Sequence, residues 1–213
     1  MLPTFLRSTV RIMGPISFLL AAALGFAQTE FSADIVNTTD AGSPVKAHIY
    51  FAKDKVRIEP TESNQRGAGG AVLMDLTAQT AMVIMDQQHM YMEMPAQMAS
   101  QRAVYNFFRT GDADNACSDW AQQARNKGGT CHKVGTDTVN GRSAVKYEAS
   151  NAEGKAGTFW IDPKLRFPIK WQNSNGSTGE LRNIREGTQP ANLFEIPAGY
   201  QKFDMGGMMK SPK

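Results

Sequence analysis

The chain is poor in the residues on which enzymes and nucleic-acid binders depend. Histidine occurs three times, at His48, His89 and His132. Each falls on a different predicted strand, on its polar side and without metal-ligand spacing. Gly176-Ser177-Thr178-Gly179 lacks the G-x-S-x-G spacing of a nucleophile elbow and sits in a turn between strands, not between a strand and a helix. Gly67-Ala68-Gly69-Gly70 precedes a strand and opens no helix, so it does not cradle a phosphate. No pair of acids is placed for acid–base work. These absences exclude the common catalytic constellations and point to a non-enzymatic protein without a cofactor or a conventional metal site.

An excess of one charge is missing as well. Lys and Arg number 23 against 20 Asp and Glu. Arg7 and Arg11 belong to an N-terminal leader, so its removal takes the basic count from 23 to 21 and leaves a net charge of +1. Nucleic-acid binders carry clustered Lys and Arg, and no such cluster is present. Long apolar runs are confined to Ile12–Phe26. That run is short for a membrane span, which needs about 20 residues. With the basic residues before it and Gly25-Phe26-Ala27 after it, it reads as a cleaved signal peptide over residues 1–27. Residue 28 is Gln, so the modified cysteine of a bacterial lipoprotein is absent. An exported domain over 28–204 and a flexible tail over 205–213 are expected.

Cysteine occurs only at Cys117 and Cys131. An even count in an exported chain predicts a disulfide. The spacing fits neither a C-x-x-C redox pair nor a zinc knuckle. Closing that loop is worth about 3 kcal/mol in the chain-entropy model.

What the chain has in quantity is alternation. Phe31, Ala33 and Ile35 alternate with Ser32 and Asp34, and Ala47, Ile49 and Phe51 with His48 and Tyr50. The pattern recurs at Val56 and Ile58, over Ala71–Leu76, and in five segments from Cys131 to Arg185, where Asn140-Gly141 marks a hairpin. Helical spacing interrupts it twice. Pro95 opens one stretch through Met98, Arg102, Tyr105 and Phe108, and Ser118 is a candidate N-cap for a second helix through Lys127. The expected fold is mainly β with two inserted helices. About eleven strands form one strongly curved antiparallel sheet, an unclosed half-barrel with a helical lid, although alternation alone does not separate this from a two-sheet sandwich.

Methionine is concentrated: seven of the twelve lie between Met74 and Met98. Ala81–Met94 reads as two strands joined at Gln87-Gln88. If Met85 faces Met90, then Val83 faces Met92 and Ala81 faces Met94. One face is then wholly apolar (Ala81, Val83, Met85, Met90, Met92, Met94), and Met82, Ile84, Asp86, His89, Tyr91 and Glu93 take the other. Methionine is flexible and polarizable, suited to irregular apolar ligands. With Met98, Phe159, Ile161, Ile169 and Trp171 this face is the candidate wall of a hydrophobic cavity. Thioethers also select soft ions such as Cu(I), which makes the hairpin an alternative metal site. A filled core in a protein-binding scaffold is the third reading.

Lys53-Asp54-Lys55-Val56-Arg57-Ile58-Glu59 and Phe159-Trp160-Ile161-Asp162-Pro163, followed by Phe167-Pro168-Ile169, resemble the LolA-type superfamily. That superfamily includes a periplasmic lipoprotein carrier and its outer-membrane receptor. Phe194-Glu195-Ile196-Pro197-Ala198-Gly199-Tyr200, Val139-Asn140-Gly141-Arg142 and the cysteine pair are still more similar to an uncharacterised LolA-like bacterial domain family. The chain departs from LolA in having no helix between leader and first strand. The resemblance implies an unclosed β-barrel with a helical lid, a cavity for acyl chains or a lipoprotein, and transient contacts with envelope membrane proteins.

Overall fold

A computed structural model describes residues 28–38, 44–61, 70–94, 112–121 and 128–203. The leader, the helix expected over Pro95–Phe108 with its Met98, and the tail lie outside them. The described residues form twelve strands: β1 (Phe31–Thr38), β2 (Pro44–Ala52), β3 (Lys55–Pro60), β4 (Gly70–Asp75), β5 (Thr80–Met85), β6 (Met90–Glu93), β7 (Thr130–Val139), β8 (Arg142–Ser150), β9 (Ala156–Asp162), β10 (Phe167–Asn173), β11 (Thr178–Glu186) and β12 (Gln201–Lys202). They form one sheet in the order β12-β6-β5-β4-β3-β2-β1-β11-β10-β9-β8-β7. β12 and β7 are its edges, so the sheet is unclosed, and the sandwich alternative falls away. Neighbours are antiparallel except β12, which runs parallel to β6.

The alternation of the sequence is met in burial. Phe31, Ala33 and Ile35 are buried with Ala47, Ile49 and Phe51, strand against strand. Three phenylalanines show that the sheet curls. The Phe31, Phe51 and Phe167 rings lie 5.0–5.5 Å apart. β2 and β10 are three strand spacings apart in the sheet order, about 14 Å if it were flat. Their rings meet because the backbone bends toward this side, which is therefore concave.

One helix is present among the described residues, α1 (Ala116–Ala121). It begins before Ser118, which therefore lies inside it and is not the N-cap. The Ser118 amide donates to the Asn115 carbonyl oxygen at 3.0 Å. Cys117 on this helix is bonded to Cys131 on β7. Ala113 and Ala116 close over Val145, Tyr147 and Ile161, and the Tyr147 hydroxyl donates to the Ala113 carbonyl oxygen at 2.8 Å.

Local sequence accounts for one close approach in the sheet. Gly179 stands opposite both Trp171 and Asn37. A Cβ at Gly179 would lie 2.2 Å from Trp171 Cζ2 and 2.3 Å from Asn37 Oδ1. The indole occupies the space that a side chain would take. Gly179→Ala is expected to cost about 2–3 kcal/mol by overpacking, which for a domain of this size lowers the melting temperature by about 4–12 °C. Calorimetry checks this, and truncating Trp171 first should shrink the penalty.

Candidate ligand-binding face

The hairpin register is the expected one. Met85 pairs with Met90 and Val83 with Met92, and the Met94 amide donates to the Ala81 carbonyl oxygen at 2.9 Å. A 3-10 turn, Asp86–Gln88, makes the connection. Extending the pairing across the sheet gives parallel rows of side chains on the concave side. The first row runs Phe31, Phe51, Val56, Met74, Ala81 and Met94. The second runs Ala33, Ile49, Ile58, Val72, Val83 and Met92. The third ends at Met85 and Met90.

Burial falls along these rows. In the first, Phe31, Phe51 and Val56 are fully buried and Met74 and Ala81 nearly so. In the second, Ala33 and Ile49 are fully buried, but Ile58, Val72, Val83 and Met92 are only half-buried. Met85 and Met90 are half-buried too. The concave face is thus filled core from β10 through β2 and becomes a part-exposed apolar surface from β3 to β6. Ile58 and Val72 belong to this surface with Val83, Met85, Met90 and Met92. Carrying the cross-strand register one hairpin further back would have added Ile58 from sequence.

The candidate residues of the second half do not join it as one wall. Phe159 and Trp171 stand opposite each other. Ile161 is 2% exposed and packs in the cluster beneath Ala113 and Ala116, while Ile169 is fully buried in the main core. The cause is a bulge: Pro168 pairs with Ile161 and Lys170 with Trp160, leaving Ile169 as an extra residue. Proline has no N–H to give the ladder, and bulges are where sheets accommodate it.

The other face of the hairpin is covered. Ala71, Leu73 and Ile84 form a third cluster, packed by Met82, Tyr91, Ile196 and Tyr200. Ile84, only 2% exposed, is more deeply buried than any methionine of the hairpin. The segment following a 3-10 turn at Ala191–Phe194 crosses this face as a strap. Arg57 Nη1 donates to the Leu193 carbonyl oxygen at 2.9 Å and the Tyr200 hydroxyl to Asp86 Oδ1 at 2.8 Å. The latter bond raises the Tyr200 pKa above its ordinary value. The strap ends in β12, where the Gln201 and Phe203 amides donate to the His89 and Tyr91 carbonyl oxygens. Phe194–Tyr200, seen in the sequence only as a family-like motif, is what covers the hairpin's back.

The histidines stay apart. His89 is in the left-handed region (φ 49°) at the end of the turn, its ring 5.4 Å from that of Tyr200. His132 is exposed, 3.4 Å from a Glu148 carboxylate oxygen. His48 Nδ1 lies 2.7 Å from Asp34 Oδ1, and Asn183 Nδ2 donates to Asp34 Oδ2 at 2.6 Å. The bond from Asn183, then that with His48, holds the Asp34 carboxyl below its ordinary 3.8. No group of three His, Cys, Asp or Glu among the described residues could hold a metal ion. A polar cleft of about 440 Å³ is lined by Asn140, Arg142, Leu181, Arg182, Asn183 and Ile184. Its two guanidinium groups are already paired, Arg142 with Asp162 and Glu186 and Arg182 with Glu180.

The fold, a single unclosed and mostly antiparallel sheet, has likenesses among known structures. No family model matches the chain, and no curated protein does. An uncharacterised conserved protein from Thermus thermophilus matches with a TM-score of 0.53 at 11% identity, over 84% of this chain and 91% of that one. A chain of the MucA/MucB complex of Pseudomonas aeruginosa matches with a TM-score of 0.50 at 17% identity, over 81% of this chain and 57% of that one. This chain therefore spans little more than half of the latter. A LolA superfamily protein from Nitrosomonas europaea also matches, with a TM-score of 0.36 at 11% identity, over 79% of this chain and 90% of that one. The likeness in fold rests on the first two.

Proposed function

We propose that the chain is a non-enzymatic binding protein of the bacterial periplasm, exported by its N-terminal leader. Its concave face takes a hydrophobic ligand: an acyl chain, free or carried by a lipidated partner. The observation behind this reading is the loss of burial along the rows. Ile58, Val72, Val83, Met85, Met90 and Met92 stand in register with the filled core yet are only half-buried. Completing that burial would yield about 25 cal/mol per Å² of apolar surface before ordering costs. The segment Pro95–Phe108, which follows β6 directly and has helical spacing, would serve as the lid. That a chain of similar fold occurs in a complex of MucA with MucB supports counting a protein among the partners.

Titration with a fluorescent polyene fatty acid tests this. Wild-type protein is expected to bind it saturably. Val83→Asp places a carboxylate at the centre of the face and should weaken binding at least about tenfold, since an unpaired buried charge costs more than the 1.4 kcal/mol this represents. Val83→Leu should bind as the wild type does. Equal affinity for Val83→Asp would show that the ligand lies elsewhere. No binding by any variant would favour a scaffold that binds only protein.

A further inference from the structure

The hairpin's methionines do not all do the same work. Met74, at 6% exposure, belongs to the main core, and Met94 packs against it. Met82 faces the other way and packs beneath the strap. Met85, Met90 and Met92 belong to none of the three clusters of described residues, although all are half-buried on the concave side. Packing among the described residues accounts for the first three methionines but not for Met85, Met90 and Met92.

Register brings those three together. Met85 and Met90 are directly opposed on β5 and β6. Opposed residues have Cβ atoms about 4.5–5.5 Å apart, and Met92, two residues along the same strand, is about 6.6 Å from Met90. Methionine has three rotatable bonds beyond its backbone. Across these spacings the three sulfurs can turn inward onto a single point.

The donor set is also pure, because the hairpin's two acids and its imidazole are turned to the strap. Asp86 accepts the Tyr200 hydroxyl. His89 leaves the strand in the left-handed region with its ring against Tyr200. Glu93 accepts from Lys202 Nζ at 2.6 Å. Imidazole and carboxylate suit Zn(II) and Cu(II), whereas thioethers alone select a soft, low-charge ion. A neutral trio in a part-apolar surface also favours one positive charge over two, since desolvating a divalent ion without an anionic ligand costs far more.

We propose that Met85, Met90 and Met92 form an all-thioether site for Cu(I). It shares the concave face with the hydrophobic ligand but does not depend on that ligand, because the two need different properties of the same side chains. Acyl binding needs apolar area, which leucine supplies. Metal binding needs sulfur, which leucine lacks.

The test is an anaerobic competition between the full chain and a chromophoric Cu(I) chelator. Wild-type protein is expected to withdraw one equivalent of Cu(I). Met85→Leu/Met90→Leu/Met92→Leu should lose at least 100-fold in affinity. This triple replacement nearly conserves volume, and circular dichroism verifies that it folds. Met82→Leu should bind as the wild type does, and so should Met205→Leu/Met208→Leu/Met209→Leu in the tail. Failure of wild-type protein to compete, retained affinity in the hairpin triple variant, or loss in the tail variant would each overturn the proposal. The fatty-acid titration on the hairpin triple variant keeps the two readings separate: it is expected to be unchanged, and its outcome bears on the lipid alone.

Discussion

Phe31→Ala is expected to lower stability by about 3–5 kcal/mol, the range for truncating a buried phenylalanine. Phe31 is fully buried and stands between two other fully buried rings, stacked on Phe51 at 5.5 Å and edge-on to Phe167 at 5.0 Å. These three side chains come from β1, β2 and β10, and their convergence holds the curl of the sheet. Removing one ring leaves a cavity that its neighbours cannot fill without flattening the backbone, so relaxation recovers little. Chemical denaturation measures the loss. Phe31→Leu, which keeps most of the volume, should cost no more than about half as much. A loss below about 1 kcal/mol for Phe31→Ala would mean that the sheet holds its curvature without the aromatic trio.

The second large effect is polar. Asp162 is 2% exposed, the only buried charged residue among those described. Its Oδ1 accepts the Lys164 amide at 2.8 Å and the Leu165 amide at 3.0 Å, which shapes the turn from β9 to β10. Its Oδ2 accepts Arg142 Nε. Arg142 Nη2 in turn donates to Glu186 at 2.8 Å, and Lys164 Nζ donates to the other oxygen of Glu186. Asp162→Ala leaves two amides without their acceptor and a part-buried guanidinium without its nearer partner. The expected cost is about 3–5 kcal/mol, the range for breaking one side of a buried pair. Because the residues act as a unit, Arg142→Ala/Asp162→Ala should lose less than the sum of the single losses. Simple additivity in denaturation experiments would show that the turn and the ion pair are independent.

Asp162 also shows how far a sequence can be read. Trp160-Ile161-Asp162-Pro163 stood out as a family-like motif, but nothing in the string said that its aspartate organises a turn. That role depends on Arg142 and Glu186, which are brought to it by strand pairing. Local signals fared better. The Asn140-Gly141 turn has both residues at positive φ, 48° and 79°, as a tight hairpin requires. The pairing of Met85 with Met90 followed from period-two alternation and a short polar turn, and the disulfide from an even cysteine count. What alternation could not carry was an interruption of the period. The bulge at Ile169 sends that side chain into the main core, while Ile161 packs beneath Ala113 and Ala116. The twelfth strand has only two residues and no pattern of its own; it exists because the strap delivers Gln201 and Phe203 to the edge of β6. For the same reason the burial of Ile84 was hidden: its cover comes from Ile196 and Tyr200, more than a hundred residues away in the chain.

On the concave face the rows are core at one end and part-exposed at the other, and the part-exposed end is proposed to be covered by an acyl group. Native mass spectrometry of the full chain, purified gently from its own host, addresses this most directly. The account predicts an added mass that lipid analysis resolves into an acyl-bearing species, and its loss in Val83→Asp. A wild-type protein of bare chain mass, with no saturable uptake of fatty acid when it is supplied, would contradict it.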